Sequence, residues 1–149
     1  MSKIRILSAI LVVALLAAAG WVRLAPPDAV RWHVDVASDT PPLCASGIEI
    51  GAASARAACV FPDPPAALLA RLDAAALATP RTRRLAGSPA AGRITWETRS
   101  LVVGFPDYTT AQVTATPEGT RLDILDRSRF GASDWGVNAA RLTGWLGTL

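Results

Sequence analysis

The chain has 149 residues, one domain's worth plus a leader, and about half of them are hydrophobic, much of that alanine. Its formal net charge of +3 sits entirely in residues 1–23, where Lys3, Arg5 and Arg23 meet no acid; residues 24–63 carry two arginines against five acids and residues 64–149 ten against seven, which cancel. That balance argues against a nucleic-acid partner, and a single histidine, His33, argues against a zinc site or a Ser-His-Asp triad.

Residues 6–22 run from Ile6 to Val22 without a charge, after Lys3 and Arg5 and before Arg23. A basic flank, an apolar run and a terminal Trp21 make a membrane-insertion signal, with residues 4–22 as the membrane contact. Seventeen residues give about 25 Å of helix, just short of a ~30 Å hydrocarbon core. Ala17-Ala18-Ala19 also fits a small-x-small cleavage site. Two readings stay open. One is a single-pass inner-membrane anchor with the remainder in the periplasm or an equivalent extracytoplasmic compartment. The other is a protein secreted to the periplasm after cleavage near Ala19.

Residues 24–63 read as a Pro/Ala-rich linker, punctuated by Pro26-Pro27, Pro41-Pro42 and Pro62, with Pro64-Pro65 just beyond. Val30–Val36 alternates and is expected as a short strand outside the main sheet or at its edge, with His33 facing solvent. Cys44 and Cys59 are expected to form a disulfide in an oxidising compartment; their spacing does not suit a CxxC redox pair.

Residues 64–149 are expected to form the folded domain. Pro64 to Leu77 reads as a helix with a Leu68, Leu69, Leu72, Leu77 stripe. Thr79–Pro89 reads as a basic loop carrying Arg81, Arg83 and Arg84. Three strand-like runs follow: Arg93–Val103, Tyr108–Thr116 and Thr120–Phe130, joined by connections of hairpin length. A last helix is expected from about Trp135 to Leu149, capped by Ser133 or Asp134, with Val137, Leu142, Trp145 and Leu149 buried. The expected fold class is α+β: a small three-stranded antiparallel meander with one polar face, flanked by an N-terminal and a C-terminal helix and preceded by one transmembrane or signal helix.

Three segments carry a resemblance. They are Thr79-Pro80-Arg81-Thr82, Gly104-Phe105-Pro106-Asp107-Tyr108 and, above all, the run from Ser128-Arg129-Phe130-Gly131 through Asp134-Trp135-Gly136-Val137-Asn138 to Arg141. Over about residues 64–149 the chain resembles the uncharacterised bacterial family named domain of unknown function 1499. Trp135 departs from it mildly, standing where a smaller apolar residue or Phe is expected. The resemblance implies location and fold, and no activity.

The residues themselves suggest an anion site. Arg127, Arg129, Asp134, Asn138 and Arg141 fall within fifteen residues at a strand end, a turn and a helix start. Arginine forks suit phosphate or carboxylate, and Arg81, Arg83 and Arg84 could extend the cluster. The competing expectation is structural, an Arg129–Asp134 lock that fixes the corner. The basic loop also suits anionic lipid. Asp107 and Asp134 are the carboxylates considered as an acid–base pair. No catalytic set, metal site or cofactor motif stands out. The expected function is a membrane-tethered periplasmic domain binding an envelope protein or an anionic ligand through its arginines; the alternatives are an envelope hydrolase using Asp and Arg residues, or a lipid-contacting accessory factor.

Overall fold

The computed structural model describes residues 3–149. Helix α1, Lys3–Leu24, is long and apolar enough to cross a membrane. Its 22 residues span about 33 Å, so the helix continues past the uncharged run at both ends into the flanks that carry Lys3, Arg5 and Arg23. Most of its large apolar side chains are exposed, the state an apolar helix tolerates in lipid rather than in water.

The fold is α+β, but the sheet has six antiparallel strands rather than three. In chain order these are β1 (Glu49–Ile50), β2 (Ser54–Phe61), β3 (Thr82–Ser88), β4 (Arg93–Arg99), β5 (Pro106–Thr116) and β6 (Gly119–Ser128). Their order across the sheet is β1-β2-β6-β5-β4-β3. The expected meander is its β4-β5-β6 part. Strand β2 comes from the expected linker, and β3 from the expected basic loop. Both lay hidden because β2 is alanine-rich between prolines, and β3 carries arginines, a glycine and a register shift between Arg84 and Ala86.

Helices α3 (Pro65–Ala78) and α4 (Val137–Leu146) cover one face of the sheet. Period-two alternation delivers Cys59, Ile94, Trp96, Ala111, Leu122 and Ile124 to that face, where they meet Leu68, Leu69, Leu72, Leu142 and Trp145. The helix stripes are shifted slightly from expectation. Leu77 and Val137 are exposed, while Ala76 and Leu146 take buried places.

The opposite face is polar, and it is covered. Residues 25–43 cross it as a strap that begins with a single helical turn, α2 (Ala29–Trp32), capped by the Asp28 carboxylate. The expected strand over Val30–Val36 is absent. The strap attaches mainly through polar groups of the sheet. Thr110 and Arg127 donate to the Trp32 carbonyl at 3.0 and 3.1 Å, and Gln112 accepts from Val36 N at 3.4 Å. Arg121 donates to the carbonyls of Ser38 and Thr40, both at 2.8 Å. His33 is not solvent-facing: its Nδ1 lies 2.9 Å from the Thr95 hydroxyl, and burial followed by the Arg93 charge holds its pKa below the usual range. Trp32 is buried, stacked on Tyr108 at 4.3 Å and under Arg127 at 5.0 Å. The strap ends at a short 3-10 turn, Cys44–Gly47, where Cys44 and Cys59 sit at disulfide distance with Cα atoms 4.5 Å apart. A bond there closes a loop worth about 3 kcal/mol by the chain-entropy model.

Because Trp32 fills the centre of the strap–sheet interface, Trp32→Ala should destabilise the protein by about 3–4 kcal/mol in urea unfolding. An unchanged midpoint would mean that the strap is not part of the cooperative fold.

Candidate functional site

Four arginines gather where the end of α1 meets the sheet. The turn after α3 places Pro80 and Arg81 at its two central positions, closed by the Thr82 N–H on the Thr79 carbonyl at 3.2 Å. Arg81 takes φ +62°, a conformation that suits glycine or asparagine at this point of a turn. Its Nε donates to the Arg99 carbonyl at 3.0 Å, and among the described residues no carboxylate pairs with it.

Beside Arg81 opens a cavity of about 480 Å³ whose wall holds four arginines, Arg23, Arg81, Arg83 and Arg99, against one carboxylate, Glu97. Glu97 projects from β4, next to the edge strand β3, on the polar face and has no exposed surface. Arg83 donates to its Oε2 at 2.6 Å and Arg99 to its Oε1 at 2.7 Å, while the Tyr108 hydroxyl stands 3.4 Å from Oε1. Burial pushes the Tyr108 phenol above its ordinary pKa, so it remains a donor. Arg99 spends its other N–H groups on carbonyls of Arg23, Gly104 and Ala25, at 3.0 to 3.3 Å. Arg23, in the last turn of α1, donates to the carbonyls of Val103 and Val102 at 3.1 and 2.9 Å. Gly104 is needed at this junction: its φ is +81°, and a Cβ there would come within 3.0 Å of the Arg23 side chain.

A second cavity of about 490 Å³ shares Arg81, Arg99, Ser100 and Leu101 with that first groove. Asp107 and Arg141 lie in its wall. Arg141, from α4, bridges Asp107 at 2.8 Å and also Asp126. Burial lifts the Asp126 carboxyl to about pKa 6, with the Asp107 charge adding to the rise and Arg141 opposing it. Asp126 Oδ1 and the Thr109 hydroxyl are buried without partners, although the two residues are paired across β5 and β6. The Thr109 hydroxyl is itself a donor, and a bond from it to Asp126 favours the charged carboxylate.

The eight arginine-cluster residues expected from the sequence do not converge. Arg81 and Arg83 enter the groove. Arg84 lies on the helix face and pairs with Asp73, which also accepts from the Trp96 indole at 2.8 Å. Arg127 lies under the strap. Arg129 donates to the Pro26 carbonyl at 2.7 Å and not to Asp134, so the expected Arg129–Asp134 lock is absent. Asp134 caps α4 through the N–H groups of Gly136 and Asn138 at 3.1 and 3.0 Å. Asn138 is buried and bonds to Ala53, Ser128 and Arg141. The corner lock exists with other partners, Arg141 holding Asp107 and Asp126. Asp107 is thus paired with Asp126 and not with Asp134.

Three groove residues were not singled out: Arg23, Glu97 and Arg99. Glu97 and Arg99 were visible only as a charged alternation on one strand. Register supplies the missing signal, since Arg83 pairs directly with Glu97 once β3 is recognised as a strand. Among the described residues, no group of three metal-binding side chains occurs.

A family model for proteins of unknown function, DUF1499, matches residues 33–149, well over half of the chain. The chain belongs to the DUF1499 family. No curated protein matches it. The DUF1499 match begins at His33, so it takes in most of the strap, the cysteine pair and β1–β2 as well as the segments after residue 64.

Asp126 gives this DUF1499 protein a pH signature. Its folded pKa lies above the unfolded value of about 3.8, so the folded state holds the extra proton between pH 4 and 6. Its contribution to stability is therefore lost as pH rises through that window. Asp126→Asn should gain on the wild type by on the order of 1–3 kcal/mol between pH 4 and 7, followed by melting temperature. A difference that stays constant across the window would refute the raised pKa.

Proposed function

We propose that this protein is a membrane-tethered extracytoplasmic domain that binds a phosphate- or carboxylate-bearing ligand in the arginine cavity at the exit of its anchor. Arg81 is the observation that carries the reading. An arginine held at positive φ costs roughly 1 kcal/mol or more, and here it makes one hydrogen bond and no ion pair. A glycine would fit the turn better. What arginine adds is a guanidinium fork facing a cavity already lined by Arg23, Arg83 and Arg99. Glu97 neutralises part of that charge and fixes two of the arginines, leaving donors on Arg81 and Arg83 directed at an incoming anion.

A second reading, an envelope hydrolase using Asp and Arg residues, rests on Asp126 with its pKa raised to about 6. It has less support, because Asp126 has no exposed surface and lines neither cavity.

The full chain in nanodiscs, titrated with inorganic phosphate, separates a binding role for Arg81 from a structural one. The wild type should melt higher with phosphate, and Arg81→Gly should leave the melting temperature without phosphate unchanged or higher, by relief of the turn, and abolish that rise. A lower melting temperature with the phosphate response intact would contradict the proposal.

A further inference from the structure

The β4–β5 loop, Ser100–Phe105, presents Leu101 and Val102 at its tip, 70 and 81% exposed. Nothing in the described chain covers them. The loop is held in shape by the Ser100 hydroxyl, which accepts from the N–H groups of Gly104 and Phe105 at 3.1 and 2.9 Å. It is also held in place, because Arg23 at the end of α1 grips the carbonyls of Val102 and Val103. Trp21 and Leu24, 75 and 83% exposed, lie on that same last turn of the membrane-length helix. An apolar tip fixed level with the exit of such a helix faces the interfacial zone of the bilayer, where tryptophan and arginine also favour sitting.

We propose that this loop dips into the bilayer surface beside the anchor, and that the anion taken by the arginine cavity is the phosphate of an anionic lipid. The assignment of the ligand rests on the cavity being an anion site, as argued above. Leu101 joins the two parts: it lines the cavity and forms the apolar tip. A lipid offers a phosphate to the arginines and an acyl region to Leu101 and Val102. A free anion engages the arginines alone.

The test uses the full chain in phosphatidylcholine nanodiscs, with and without phosphatidylglycerol. Cys44 and Cys59 are paired, so Val102→Cys accepts an environment-sensitive fluorophore selectively. The fluorophore should shift to the blue and be quenched by nitroxide-bearing lipid. Phosphatidylglycerol should raise the melting temperature more than inorganic phosphate does, and Arg81→Gly should weaken its effect about fivefold in lipid concentration without changing the quenching. Quenching by aqueous iodide instead of by lipid would overturn the loop insertion, whatever the cavity binds. A phosphate response to which phosphatidylglycerol adds nothing would overturn the lipid assignment and leave the anion site standing. No response to either anion would overturn the anion site and the lipid assignment together.

Discussion

The arrangement depends on one buried carboxylate. Glu97 sits on the polar sheet face with no exposed surface, and a lone charge there would cost several kcal/mol. Arg83 and Arg99 neutralise it from two sides. Pinned by that pair, Arg99 has its remaining donors aimed at three main-chain carbonyls: Arg23 at the end of α1, Ala25 at the start of the strap and Gly104 in the β4–β5 loop. A single ion-paired group thereby joins the membrane-length helix, the strap and the hairpin loop to the sheet. The arginine cavity is the space left between the parts it gathers.

This explains which features were legible in the sequence. The helix-facing core was readable, because Ile94, Trp96, Leu122 and Ile124 fall on an apolar period of two and the leucines of α3 on a helical stripe. The polar alternation Arg93, Thr95, Glu97, Arg99 was equally visible, but alternation records which side a residue faces and not what covers it. The covering strap is recognised largely through its carbonyls, those of Ala25, Pro26, Trp32, Ser38 and Thr40. A main-chain acceptor has no residue-type signature, so the stretch read as linker. Strand β2 escaped for a related reason: Ala55, Ala57 and Cys59 are small, and small residues there leave room for α3 and α4 without producing a strong strand pattern.

The arginine cluster near the C-terminus shows how sequence proximity can mislead. Arg127 and Arg141 lie on opposite faces of the sheet, although only fourteen residues separate them. Arg141 is committed to Asp107 and Asp126, Arg129 to a carbonyl and Arg127 to the strap. These arginines build the corner. The arginines of the cavity come from three separate stretches of the chain: the end of α1, the turn and start of β3 that carry Arg81 and Arg83, and the end of β4. Membership of a family of unknown function adds no chemistry, so the functional reading rests on that convergence beside the end of α1.

The central claim is that the Glu97–Arg99 pair seats the strap and the end of α1 on the sheet. Hydrogen exchange of Glu97→Gln against the wild type tests it most directly. The account predicts that peptides covering residues 23–36 and 100–105 exchange at least about tenfold faster, while the paired amides of β2 and β6 keep their protection. Unchanged exchange in 23–36, or a uniform loss across the whole sheet, would contradict it.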